Sequence, residues 1–242
     1  MKRRTFTLAA AAAVMSAADL AALSARAQDA PDSQNTQDSQ DTSDTEDNPF
    51  EGSKGYKTIE KPAPSNAPAG KIDVIEFFAY SCPHCMRFEP VFATWRESAP
   101  KDVAARRVHV GFSAAFEPLQ RIYYSLRALG APETIHPKVF SALQVLHLRL
   151  DQPKVLFPWI ASQGIDRANF EQAYNSSVIT DQIQRANQTQ NAYMVESTPS
   201  LGIAGRFYVD PSYANASADE AQAFASMLKI TNTLIAQARK GA

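Results

Sequence analysis

The only two cysteines of the 242-residue chain, Cys82 and Cys85, stand three positions apart in Cys82-Pro83-His84-Cys85. At a helix start such a pair projects to one side and can close a small disulfide ring. Pro83 suits the first helical turn, where its missing N–H is no loss. The free backbone N–H groups and the helix dipole there favour negative charge on Cys82. His84, if charged or donating a hydrogen bond, would stabilise that thiolate further. A lowered thiol pKa makes Cys82 a good leaving group and stabilises the reduced pair, so the disulfide becomes a strong oxidant. Cys85, one turn in and more buried, is assigned as the resolving thiol. Two other readings of the pair are weaker. A zinc site needs about four ligands, and beyond the cysteines only His84, His109, His136 and His147 are of the usual nitrogen type, so no metal is expected. A structural disulfide across Cys-x-x-Cys closes too short a loop to constrain the unfolded chain much.

Two further places bear on this chemistry. Glu76 is a carboxylate inside the otherwise apolar run Val74–Phe78, and a buried acid needs a task or a partner. It is read either as a proton acceptor for Cys85 by way of water or as half of an ion pair with a lysine or arginine across a sheet. Thr198-Pro199 precedes an apolar strand. A cis Pro199 would leave the backbone before it free to hydrogen-bond an extended substrate, although the rarity of cis X–Pro bonds favours a trans strand-entry proline on sequence alone.

The elements that must position these residues follow from pattern. Gly55–Pro62 reads as an edge strand ending at its proline. Asp73–Phe78 reads as a central strand covered on both faces. After the cysteines, Phe88, Val91, Phe92 and Trp95 mark a buried helix face, with Arg87, Glu89, Arg96 and Glu97 elsewhere. Arg106–Phe112 alternates as a strand, completing a βαβ unit whose strands should be parallel. Helices are predicted at Pro118–Leu129, Thr134–Leu150, Lys154–Gln163, Arg167–Ser176 and Thr180–Met194. A hairpin follows, Pro199–Ile203 and Arg206–Val209 about Ala204-Gly205. A closing helix spans Ser217–Arg239, with Ser217 as N-cap and Glu220 at the capping-box position. The order implies an α/β thioredoxin fold in two parts, 52–117 and 195–242, around an inserted helical domain at 118–194.

The first 51 residues read differently. Lys2-Arg3-Arg4, the alanine-rich stretch to Ala18 and Ala25-Arg26-Ala27 form a signal peptide cleaved after Ala27. Arg3-Arg4-Thr5-Phe6 leaves the Sec and twin-arginine routes both open. Either exports the protein to the periplasm, a disulfide-permissive compartment. Residues 28–51 carry eight acids and no Lys or Arg, the composition of a disordered, solvated spacer. The remainder has 20 basic against 16 acidic residues, which does not call for nucleic acid as a partner.

Residues 75–89, with Ile75-Glu76-Phe77-Phe78, Tyr80, Cys82-Pro83-His84-Cys85 and Phe88-Glu89, resemble the active-site stretch of DsbA-type thiol:disulfide interchange proteins. Tyr56–Pro62 is similar to that family's first strand and Arg107–Phe112 to its next one; the likeness runs from Tyr56 to Arg239. The resemblance implies an oxidoreductase that gives its disulfide to newly exported proteins. Cys82 would be its nucleophile, Cys85 its resolving thiol, His84 and Pro83 its redox-tuning residues and Glu76 its buried acid. Thr198 and a cis Pro199 would bind substrate. It implies no cofactor, a monomer, and reoxidation by a quinone-linked membrane protein of the DsbB type. Two residues depart from the family's pattern: Thr198 stands where the best-studied members place a valine, and Arg107 where some members have a lysine near the buried acid. The alternatives are an isomerase or reductase of the same superfamily, which usually brings a dimerisation domain, and a peptide-binding chaperone.

Overall fold

The apolar run at 72–78 becomes strand β2 (Ile72–Phe78), buried at every residue after the first. A strand so uniformly buried must be flanked on both edges and covered on both faces. In the structure, a computed structural model that describes residues 55–215 and 219–240, it is. The predicted signal peptide, the acidic spacer and Ser217 lie outside the described residues. Five strands, β1 (Lys57–Thr58), β2, β3 (Val103–His109), β4 (Ser200–Ile203) and β5 (Phe207–Val209), form one sheet in the order β1-β5-β4-β2-β3. β2 pairs parallel with β3 and antiparallel with β4. Helix α1 (Pro83–Ser98) makes the β2-to-β3 crossover. Five helices lie between β3 and β4: α2 (Glu117–Ala128), α3 (Ile135–Gln144), α4 (Pro153–Ser162), α5 (Arg167–Tyr174) and α6 (Ser177–Ala192). After β5 come α7 (Pro211–Asn215) and α8 (Glu220–Lys240). This is a thioredoxin fold with an inserted helical domain.

Side chains alternate across β2, and the two faces meet different cores. Val74 packs with Phe88, Phe92 and Trp95 of α1 and with Phe224, Met227, Leu234 and Ile235 of α8. Ile75 and Phe77 face the inserted helices instead, with the Phe77 ring 5.2 Å from that of Tyr193. Tyr193 presses so closely on β4 that a Cβ at Gly202 would sit 2.5 Å from its ring, and its hydroxyl accepts the Gly205 N–H at 2.8 Å. The hairpin turn has both central residues at positive φ, Ala204 at 54° and Gly205 at 70°, as a two-residue primed turn requires. The open edge of β3 is covered by α2: Tyr123 Oη donates to the Arg107 carbonyl at 3.1 Å and Gln120 Nε2 to the His109 carbonyl at 3.0 Å.

Several sequence expectations shift. β1 spans two residues rather than eight, although Ile59 N still donates to the Arg206 carbonyl. β3 starts three residues earlier than its alternation implied, because its register is set by pairing with Ile72 through Phe78. The helix predicted through Leu150 stops at Gln144; His147 turns left-handed at φ 52° and Leu146 is 62% exposed. On α1, Glu89 is buried and Val91 exposed, the reverse of their polarity. Glu220 does not cap α8, whose first turn is instead bonded by Asp219, with Oδ1 accepting from Gln222 N at 2.8 Å.

Candidate active site

Cys82 is the N-cap of α1, with extended backbone (φ −87°, ψ 116°) and Pro83 following in the first turn. Both cysteines are free thiols; Cys82 is half-buried and Cys85 fully buried. As a capping group, Cys82 Sγ accepts the Cys85 N–H at 3.4 Å, so a backbone group of the helix start is aimed at the sulfur as the spacing predicts. The Cys82 pKa is lowered to about 5. The largest cause is the hydrogen bond from the Cys85 thiol, which outweighs burial; Thr198 and the backbone N–H groups of Cys85 and His84 add to it. The Cys85 thiol is pushed well up, first by burial and then by its bond to Cys82 and the charge of that thiolate. One proton is thus held between two sulfurs of very different acidity.

Thr198 comes to this pair from the far side of the inserted helices. The Thr198–Pro199 bond is cis, as the resemblance implied and the base rate did not. When protonated, the Cys82 thiol donates to the Thr198 carbonyl at 3.3 Å, and the Thr198 hydroxyl is among the influences that favour the ionised form of both sulfurs. Replacing Thr198 with valine keeps the shape and removes that hydroxyl. The expected result is a higher Cys82 pKa and an equilibrium with glutathione moved about threefold toward the oxidised protein, the scale of one modest hydrogen bond. An unchanged thiolate titration would show that the hydroxyl does not act on the sulfur.

Glu76, 1% exposed, lies opposite Arg107 in the β2–β3 register and accepts from its Nε at 3.0 Å. The same guanidinium donates to Glu89 of α1 at 2.8 Å and to Glu133 at 2.9 Å. Arg96 shares Glu133, so the buried centre holds two carboxylates, Glu76 and Glu89, against one arginine. Burial, opposed by Arg107 and aided by the charge of Glu89, pushes the Glu76 pKa up to about 8. The cross-sheet ion pair weighed in the sequence is therefore present, and it leaves Glu76 able to hold a proton near neutral pH.

Other residues of the site have no signal in the sequence pattern. Gln144, the last residue of α3, donates from Nε2 to the Tyr80 and Cys82 carbonyls at 2.8 and 3.0 Å, pinning the active-site loop to the inserted helices. Tyr80 N donates to His109 Nε2 at 3.1 Å, and His109 Nδ1 in turn donates to the Val110 carbonyl. That tautomer is neutral, and burial pushes the His109 pKa down to about 3. Tyr80 Oη lies 2.8 Å from His136 Nδ1, and His136 Nε2 is 3.2 Å from Glu89 Oε2. From sequence, Tyr80 and Glu89 were in view within the quoted motif and His109 and His136 only as rejected metal ligands; Gln144 was not in view at all. The His84 ring is exposed and meets Glu220; it is the His84 backbone N–H that bonds the sulfur. Among the described residues, no three His, Cys, Asp or Glu side chains are grouped to hold a metal ion, and no helix is long and apolar enough to cross a membrane.

Comparison with known proteins agrees with this geometry. A thioredoxin family model matches residues 66–226. The chain is 41% identical over 190 residues to the thiol:disulfide interchange protein DsbA of Bordetella parapertussis, covering 78% of this chain and 87% of that one. It is 32% identical over 176 residues to the Burkholderia cepacia protein of the same name, covering 73% and 83%. The crystal structure of Pseudomonas aeruginosa DsbA superposes with a TM-score of 0.72 at 30% identity, covering 78% of this chain and 94% of that one. With its cysteine pair capping α1 and Thr198 against the sulfur, the chain belongs to the DsbA-type thiol:disulfide interchange proteins, oxidoreductases of the thioredoxin fold.

Proposed function

We propose that the protein oxidises newly exported proteins in the periplasm, giving them the Cys82–Cys85 disulfide through a mixed disulfide on Cys82. The observation that carries this reading is the half-buried Cys82 sulfur, ringed by donors at the helix start and lying against Thr198. A substrate thiolate attacks Cys82 Sγ, the Cys82–Cys85 bond breaks, and Cys85 leaves. A second substrate thiolate then attacks its own mixed-disulfide sulfur and expels Cys82 as a thiolate. The substrate loses two electrons and the cysteine pair gains them. A depressed pKa makes Cys82 the better leaving group in the second step, a relation for which DsbA proteins are themselves a standard illustration.

In this scheme Pro83 and the His84 N–H hold the helix start that carries the thiolate. The Thr198-Pro199 backbone, beside the sulfur, receives the extended substrate. Val145 and Leu146, exposed just beyond Gln144, offer apolar contact on the inserted domain beside the same loop. Glu76 supplies the proton that Cys85 takes up on leaving and accepts it again when the pair is reoxidised, a role supported by its raised pKa and its burial on the α1 face of the sheet. Reoxidation is assigned to a quinone-linked membrane protein of the DsbB type. The signal peptide at 1–27 delivers the chain and the segment at 28–51 serves as a spacer ahead of the fold.

The test is the redox equilibrium of the Cys82–Cys85 pair against glutathione. An oxidant of this kind is mostly reduced at glutathione ratios that leave a reductase oxidised. An equilibrium near that of thioredoxin would favour the reductase reading and defeat this one.

A further inference from the structure

Glu220, the first residue of α8, reaches the Cys-Pro-His-Cys turn from 136 positions away. Its carboxylate is gripped by Arg87, with Nε on Oε2 and Nη2 on Oε1, the latter at 2.9 Å. His84 Nδ1 meets the same Oε1. A carboxylate only accepts, so Nδ1 carries the proton and donates to it. Arg87 Nη2, 3.0 Å from that nitrogen, then serves Glu220 rather than the ring. Arg87 is held above its ordinary pKa first by the bond to Glu220, and the charge of the Cys82 thiolate also reaches it.

Charge counting gives the sign of what this cluster does. Arg87 stays charged under all working conditions, and His84 carries at most one positive charge. Removing the carboxylate adds one positive charge, and any accompanying loss of a proton from His84 can cancel no more than that. The cluster is then at least as positive as before, whatever fraction of His84 is protonated. Positive potential beside Cys82 favours its thiolate and hence the reduced pair. We propose that Glu220 is a redox-tuning residue: by neutralising Arg87 and tying the His84 ring to itself, it makes the disulfide a milder oxidant than the bare Cys-Pro-His-Cys turn would be. The inference rests on Cys82 being the nucleophile, and it adds to the scheme a residue outside the motif that sets its driving force.

The experiment uses the full chain and reads two quantities, the glutathione equilibrium and the ultraviolet absorbance of the Cys82 thiolate against pH. Glu220→Gln should lower the Cys82 pKa and move the equilibrium about threefold toward the reduced protein, ~14 mV for a two-electron couple. Arg87→Gln should move both in the opposite direction, and the double variant should return near wild type, since it removes a neutral pair. An unchanged equilibrium in Glu220→Gln, or a shift toward the oxidised protein, overturns the proposal. If that variant does not fold, Arg87→Gln carries the test: no shift, or a shift toward the reduced protein, overturns it equally. A wild-type Cys82 that titrates like an ordinary thiol sinks the underlying oxidant reading instead, a result separable from either.

Discussion

Cys82→Ser reduces the oxidation of a reduced, multi-cysteine protein substrate to the uncatalysed rate while leaving the fold intact. No disulfide can form without the second sulfur, so the loss is complete rather than graded. The fold is spared because Cys82 is the N-cap of α1 and its side chain accepts from Cys85 N. Serine is among the best residues at that position, so stability should change by no more than ~1 kcal/mol. The companion variant Cys85→Ser behaves differently when offered an oxidised substrate: the lone Cys82 thiolate attacks a substrate disulfide, the second substrate sulfur leaves as a thiolate, and with no Cys85 to resolve the product the mixed disulfide accumulates. Substrate oxidation followed by thiol alkylation and gel mobility, alongside thermal unfolding, separates the cases. Catalysis retained by Cys82→Ser would leave a peptide-binding role with an incidental disulfide as the better account. The pH dependence has a definite sign. Because the folded Cys82 pKa lies near 5, below the ordinary value of ~8.5, its thiolate contributes stability to the reduced protein. That contribution is fully present above the ordinary value and is lost as pH falls through about 5. The oxidised protein has no such group, so the stability gap between the two forms narrows on acidification.

Arg107→Met destabilises the protein by about 3–5 kcal/mol, the usual cost of breaking a buried ion pair from one side. Arg107 is 3% exposed and is the cation shared by Glu76 and Glu89, themselves buried. Methionine fills much of the volume but leaves two carboxylates in an apolar interior, with the Phe92 ring that the guanidinium covers. The loss should depend on pH in a way that a packing defect does not. Glu76 has a folded pKa near 8, raised from 4.5, so its contribution to stability is complete below the unfolded value and lost as pH rises through about 8. Removing Arg107 raises the folded value further. The gap between variant and wild type therefore widens as pH climbs past 8, where wild type releases the Glu76 proton and the variant must keep it. Adding Glu76→Gln to Arg107→Met should remove that widening. Urea unfolding at pH 6 and pH 9, on either side of the Glu76 value of about 8, is the measurement; equal losses at both would show that the charge of Glu76 is not at stake.

Much of this protein was legible from local pattern. The strand–turn–helix that holds Cys82 and Cys85, the parallel strand after it, the block of helices and the closing hairpin are all written in short-range terms: side-chain period, turn residues, a proline at a helix start. The redox chemistry was legible for the same reason, since the groups that lower the Cys82 pKa lie mostly within three residues of it. The boundaries that moved were those set by a partner. β3 begins where β2 offers a register, and α3 ends where Gln144 turns to the Tyr80 and Cys82 carbonyls.

What the sequence determined by itself was a thiol pair at a helix start within a thioredoxin-like order of elements. Only the tertiary structure decided what surrounds that pair. It paired Glu76 with Arg107 from 31 positions away and drew Glu89, polar and expected at the surface, into the same buried centre. It set Thr198 on Cys82 from 116 positions away, and placed Glu220, expected as a helix cap, against His84 and Arg87. Each of these is a contact between charged or polar groups whose worth depends on burial and on the single geometry the packed elements allow. Neighbours in the chain carry information about local conformation, but a carboxylate reads the same in sequence whether it ends in water, on an arginine or beside an imidazole.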